Sequence, residues 1–217
     1  MSKGPSSASA PERPADFAFQ VCLDANVWIS ALIGAQKRGL SPPSAASRIV
    51  TAVWRMRACG QPLQLVVSHE LVDTVVRVGT RLGHSPAMVA EWGASIIELS
   101  RAGPLQLDPA LLLAGRDQLA MNDREDAGVL ATCIAARAHL LVTDNLQDFV
   151  TNDSERIDTR KVGYQSGGTR QLFALIHDRR DEAALVVMHP IDAIEWLEGE
   201  VLPEAGTVRQ KYRHSSC

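Results

Sequence analysis

Short apolar runs alternate along this chain with stretches in which apolar residues recur every three or four positions. Such alternation predicts buried strands joined by amphipathic helices. The first strand is expected at 19–23, followed by a short helix at 26–33 that Gly34 closes. Pro42 and Pro43 open a helix to about residue 58, since proline is tolerated in a first helical turn, and Gly60 stops it. A second strand at 63–67 runs into Ser68, a suitable N-cap for a helix to Arg81. Gly83 ends that helix, Ser85 and Pro86 start the next, and Trp92, Ile96, Ile97 and Leu99 give it an apolar stripe. Residues 105–107 read as a short strand closed by Asp108 and Pro109. A helix at 126–138 carries Val129, Leu130, Cys133 and Ile134 at helical spacing. Strands at 140–143 and 184–188 and a helix at 191–198 complete the pattern. Strands separated by helices require right-handed βαβ crossovers, and so a parallel sheet with helices on both faces.

Three regions break the rhythm. Residues 151–181, with Gly163, Gly167 and Gly168 among many charges, read as an irregular insertion with one helix near 170–177. A structureless loop of that length is unusual, so the insertion is expected to be functional or poorly ordered. Residues 1–16 and 204–217 are polar or Ser/Pro/Ala-rich without periodicity and are expected to be mobile, which leaves one domain at 17–203. Arg209, Lys211, Arg213 and His214 of the tail could touch phosphates, but a solvated terminus is the stronger reading.

A chain of 217 residues suits a single well-buried core. No apolar run approaches the roughly 18 residues needed to span a bilayer. Residues 1–14 contain one lysine and no apolar stretch, so no secretory signal is read and the cytoplasm is expected. Cys22, Cys59, Cys133 and Cys217 are too widely spaced for a zinc ribbon or a redox dithiol. A formal net charge of −3 excludes the broad basic field of a protein that coats nucleic acid. It leaves room for an RNA enzyme that guides one strand with local basic clusters, for which Arg77, Arg81, Arg124 and Arg170 are candidates.

The chemistry is concentrated where apolar runs stop at an acid and a helical pattern begins. This happens at Val21-Cys22-Leu23-Asp24, at Val66-Val67-Ser68-His69-Glu70 and at Leu141-Val142-Thr143-Asp144. A further cluster, Asp123-Arg124-Glu125-Asp126, opens the helix before the last of these strands. In a parallel sheet the strand carboxyl ends share one edge, so these acids can converge although they are distant in sequence. Several carboxylates in one crevice suit Mg²⁺ or Mn²⁺. Each acid also has a structural use. Asp24 is either a helix N-cap or a ligand. Asp123 is the better N-cap of its helix and Asp126 the inward acid, with Asp123 as its substitute. Asp144 and Gln147 are spaced as a capping box, and one of Asp144, Asn145 and Asp148 should face the crevice. Glu70 shares a helix face with Thr74, and Asp73 lies further round.

These residues carry a resemblance to the PIN domain family. Residues 21–32, VCLDANVWISAL, are similar to the family's first strand and signature. Asp126 with Val129-Leu130-Ala131, then Ala138-His139-Leu140-Leu141-Val142-Thr143, is similar to its third motif. Asn145-Leu146-Gln147-Asp148-Phe149 resembles the ending of some bacterial members, and His189-Pro190 with the last helix resembles their closing element. The order of these motifs is more specific than any one of them. The resemblance implies a three-layer α/β/α fold with a central parallel sheet of about four to five strands, three or four acids holding Mg²⁺ or Mn²⁺, and endoribonuclease activity of the VapC toxin type. By position, the first acid is Asp24 and the third-motif acid Asp126. The family's glutamate falls on Thr74, leaving Glu70 or Asp73 as substitutes. Its acid beyond the strand threonine falls on Asn145, leaving Asp144 and Asp148.

The expected activity is therefore metal-dependent hydrolysis of RNA phosphodiester bonds. Asp24, Glu70, Asp126 and Asp144 are the catalytic candidates, and Asp24, Asp126, Asp144 and Asp148 the metal ligands. The expected setting is the toxin half of a toxin–antitoxin pair, with RNA as substrate, an antitoxin protein as partner, and a homodimer. The rival reading is a weakened PIN domain that binds RNA or protein, suggested by Thr74 and Asn145. A different Mg²⁺-dependent phosphate enzyme is disfavoured, because no Gly-rich phosphate loop is present.

Overall fold

The apolar runs meet in one mixed sheet. The computed structural model describes residues 17–36, 42–111, 121, 123–158, 172–179 and 182–213. Its strands are β1 (Phe19–Leu23), β2 (Arg57–Ala58), β3 (Gln61–Val66), β4 (Leu140–Val142), β5 (Ser154–Asp158), β6 (Leu172–Arg179) and β7 (Glu182–Met188). They lie in the order β2-β3-β1-β4-β7-β6-β5. The central β3, β1, β4 and β7 are mutually parallel, while β2, β6 and β5 are antiparallel additions at the edges. Val21, Cys22, Leu23 and the whole of β4 are fully buried, as expected for parallel strands covered on both faces. The fold is the expected three-layer α/β/α arrangement around a parallel centre.

The helices are α1 (Ala25–Gln36), α2 (Ala45–Trp54), α3 (His69–Arg81), α4 (Pro86–Ala102), α5 (Arg124–Ala135), α6 (Pro190–Leu197) and α7 (Ala205–Arg213). Ser68, Ser85 and Asp123 cap α3, α4 and α5 through side-chain bonds to first-turn N–H groups. Several helix limits differ from the sequence reading, and α5 ends at Ala135, short of the expected 138. Gly34 does not close α1. It lies inside that helix, where an added Cβ would sit 2.8 Å from Ser47 Oγ of α2, so its role is close packing. The prolines do not open α2, because Ser44 caps it by accepting from Ser47 N at 3.1 Å. That helix stops at Trp54, and Met56, Cys59 and Gly60, all at positive φ, turn the chain back into β3.

Further corrections concern the segments without strong periodicity. Residues 105–107 form no strand. Buried Gln64 holds this segment instead: its Oε1 accepts from Leu105 N at 2.8 Å, and its Nε2 donates to Ser100 O at 2.8 Å. The segment then returns to the sheet edge, where Ala110 bridges Ser68. In the expected irregular insertion, the helix foreseen near 170–177 is replaced by β6, whose residues Leu172 to His177 are buried between β7 and β5. Residues 159–171, Arg170 among them, lie outside the described residues. The polar tail contains α7. Val208 is fully buried, Arg209 pairs with Glu155 and Asp178 at 2.7 and 2.6 Å, and Lys211 Nζ lies 4.4 Å from the centre of the Trp196 ring. Two buried apolar residues, Ala205 and Val208, and cation contacts dock this helix, a pattern too sparse for periodicity to reveal.

Helices α3 and α4 approach closely at two glycines. A Cβ on Gly79 would meet Val89 Cγ1 at 2.7 Å, and one on Gly93 would meet Val76 Cγ2 at 2.8 Å and Val72 Cγ1 at 3.2 Å. These neighbours are β-branched and stiff in a helix. Alanine gains about 1 kcal/mol of helix propensity over glycine, but overpacking costs typically ~1–3 kcal/mol. Gly93→Ala should therefore lower Tm by about 2–4 °C despite the better helix former, as thermal unfolding by circular dichroism would reveal. A higher Tm would mean that the two helices can part without loss.

Candidate functional site

Strand register builds the site. Leu23 pairs with Val142 and Val142 with Met188, so Asp24, Thr143 and His189 leave the sheet at the same level. Asp24 N donates to Val142 O at 2.9 Å and Thr143 N to Met188 O at 3.0 Å, which locks this edge. Asp24 is only 6% exposed. Its Oδ2 accepts from Thr143 Oγ1 and Asn26 Nδ2, each at 2.7 Å, and its Oδ1 from Ala25 N at 2.6 Å. Burial raises its pKa above the usual carboxylate range. Bonds from Thr143, Ala25 and Asn26 oppose the shift, and the charge of Asp144 adds to it.

Asp126 faces the same cavity from the start of α5. Asp123 is the N-cap, with Oδ1 accepting from Glu125 N at 2.7 Å, so the two acids divide as the capping rule expects. Burial pushes the Asp126 carboxyl up to about 7, helped by the charges of Asp24, Asp123 and Asp148 and by a hydrogen bond with Asp148. Asp148 lies in a 3₁₀ turn, Leu146–Phe149, and takes a bond from Asn145 Nδ2. Asp144 turns the other way. Its Oδ1 lies 3.4 Å from His189 Nε2 and its Oδ2 is 3.5 Å from Ser30 Oγ, both on an apolar groove between α1, α2 and α6. The capping box foreseen for Asp144 and Gln147 is absent, because the turn is 3₁₀ and starts at Asn145 without a side-chain cap.

The cavity is lined by Asp24, Ser68, Glu70, Thr74, Glu125 and Asp126, among others. Glu70 and Thr74 enter it from α3, whereas Asp73 is exposed and absent from the lining. Arg77 stands at the lip, with Nη2 2.5 Å from Glu125 Oε1 and 3.4 Å from Thr74 Oγ1. Arg81 and Arg124 are exposed. The structure thus brings together Asp24, Asp126, Asp148 and Glu70, and directs Asp144 elsewhere. Sequence reasoning assigned no role to Thr143, Asn26 or Glu125. Thr143 had a signal, as a hydroxyl ending a buried strand beside the Asp24 position, and Asn26 had none beyond following Asp24.

Among the described residues, no three His, Cys, Asp or Glu side chains form a ready-made metal site. The donor chemistry nevertheless fits a hard divalent cation. Burial first, and then the neighbouring charges of Asp24, Asp123 and Asp148, favour the protonated form of Asp126, and a cation beside Asp24 and Asp126 would offset the same penalties. No described helix is long and apolar enough to cross a membrane.

A parallel α/β sheet whose strand ends gather acids around one buried carboxylate, Asp24, defines the class of protein. A family model described as the PIN domain matches residues 20–147, from β1 to the turn after β4. The chain belongs to the PIN domain family. PIN domains are generally nucleases, and they bind RNA. No curated protein and no solved structure matches this chain.

Asp126 also predicts a pH dependence. Its folded pKa of about 7 exceeds the usual 3.8, so the folded chain binds the extra proton. The stability this contributes is complete below about pH 4 and is lost as pH rises through 7. In EDTA, Tm should fall between pH 5 and 8, and Asp126→Asn should flatten that fall and exceed the wild type at pH 8. An unchanged slope in the variant would assign the proton to another group.

Proposed function

We propose that this protein is a metal-dependent endoribonuclease in which Asp24, Asp126 and Asp148 hold Mg²⁺ or Mn²⁺ and Glu70 faces the substrate water. The observation that carries this reading is the convergence of Asp24, from the end of β1, and Asp126 in a cavity that Glu70 also lines, with Asp148 hydrogen-bonded to Asp126. Thr143, Asn26 and the Ala25 N–H hold the Asp24 carboxylate in one orientation. Such preorganisation spares the site the cost of arranging a charge during reaction. When bound, the cation would polarise a phosphodiester oxygen and lower the pKa of a water. Glu70, across the cavity, would orient an attacking water toward phosphorus and take up its proton. Asp144 is outside this set and supports the edge through His189 and Ser30.

The resemblance of residues 21–32 to the family's signature and of 145–149 to the ending of some bacterial members favours the toxin half of a toxin–antitoxin pair, of the VapC type. That setting supplies an antitoxin partner, a homodimer and action in the cytoplasm. A second reading, a weakened domain that only binds RNA or protein, draws on Thr74 and Asn145, which stand where the family carries acids.

A mixed RNA pool incubated with Mg²⁺, Mn²⁺ or EDTA separates the two. Cleavage should be slow, faster with Mn²⁺ than with Mg²⁺ because Mn²⁺ binds mixed sites more tightly, and absent in EDTA. Asp24→Asn should lower the rate by at least about 100-fold, whereas Asp144→Asn should retain it within a few-fold. No cleavage with any metal, alongside RNA or protein binding, would replace the enzyme reading with the binding one.

A further inference from the structure

Helix α3 carries Glu70, Thr74, Arg77 and Arg81 at spacings of four, three and four residues, a single stripe along one face. The first two line the acidic cavity and the third stands at its lip, so the stripe leads from the acids outward to cations. Arg77 and Arg81 are separated by about 6 Å along the helix axis, on the scale of one nucleotide step in an extended single strand. Resting on the nuclease reading above, we propose that α3 is the track for the RNA strand. One phosphate lies at the acids, and the next two on one side are anchored by Arg77 and Arg81.

The manner in which Arg77 is held supports this use. Arg48 grips Glu198 with two nitrogens, Arg101 binds both Glu98 and Asp108, and Arg209 binds both Glu155 and Asp178. Arg77 meets its acid, Glu125, through one nitrogen, with both side chains more than half exposed. An exposed single contact of this kind is weak, and a phosphate offers the guanidinium two oxygens at once. The incoming strand therefore displaces Glu125 from Arg77. Glu125 lines the acidic cavity, so the displaced carboxylate stays beside the site, a second consequence of strand entry.

The test is binding of a labelled single-stranded oligoribonucleotide, in EDTA and again with Ca²⁺, across a salt series. Arg77→Ala and Arg81→Ala should each weaken binding about fivefold and reduce the salt slope by about 0.7, the share of one phosphate on a single strand. Arg48→Ala, outside the cavity lining, should change neither. Glu125→Gln should tighten binding by freeing Arg77 from its rival, and that gain should vanish in the Arg77→Ala background. Arg77→Lys, which keeps the charge without the fork, should fall between wild type and alanine. Unfolding temperatures of the variants separate a binding loss from a folding defect. Wild type that binds RNA in a salt-dependent way while both arginine variants bind equally well would overturn the track and leave the nuclease reading standing. A Glu125→Gln gain that persists without Arg77 would overturn the displacement step. Wild type that binds RNA in neither medium would overturn the track and the nuclease reading together.

Discussion

A carboxylate kept almost out of water at the end of a central strand is the constraint around which this molecule is organised. An ionised carboxylate in such a place is unfavourable unless its oxygens are fully bonded. Asp24 meets this requirement through Thr143, Asn26 and the Ala25 N–H. Those groups come from β4 and α1, so the partner strand must end level with β1 and the helix must begin at once. The same register brings in the turn with Asp148, and α5 then adds Asp126 to a space already negative. Burial and the neighbouring acids together raise the proton affinity of Asp126. The fold accepts that electrostatic cost locally because the buried residues of the parallel strands are otherwise apolar apart from hydrogen-bonded Gln64.

Thr74 and Asn145, where the resemblance would place acids, have neighbours that carry charge. Thr74 contributes no charge to the cavity, but Glu70 one turn earlier on the same face does, and Glu125 arrives from α5. Asn145 contributes no charge either, yet its amide holds Asp148 toward Asp126. Glu70 and Glu125 thus supply negative charge to the cavity beside Asp24 and Asp126. Glu125 also stands where Arg77 can reach it, linking the acid cluster to the cationic part of α3.

Much of this was legible in sequence because it depends on local rules. Uniformly apolar runs ending in an acid identified β1 and β4, and capping preference separated Asp123 from Asp126. What stayed hidden depends on tertiary context. Gly34 is a helix stop by propensity and a helix interior by packing against Ser47. The run at 172–177 is apolar enough for either helix or strand, and pairing with β7 and β5 decides it. The choice among Asp144, Asn145 and Asp148 turns on a 3₁₀ turn, in which side-chain directions repeat every three residues instead of every 3.6. The partners of Asp24 could not be read from spacing, since Thr143 is distant in sequence and reaches it only through the pairing of β1 with β4.

The central claim is that Asp24, Asp126 and Asp148 act as one cation site and Asp144 does not belong to it. Calorimetric titration of Mn²⁺ into the metal-free protein at pH 7.5 tests this without reference to any substrate. Wild type and Asp144→Asn should bind with similar affinity, Asp148→Asn more weakly, and Asp24→Asn and Asp126→Asn with no saturable binding. Mn²⁺ binding that survives loss of Asp24 and Asp126 but disappears in Asp144→Asn would contradict the account.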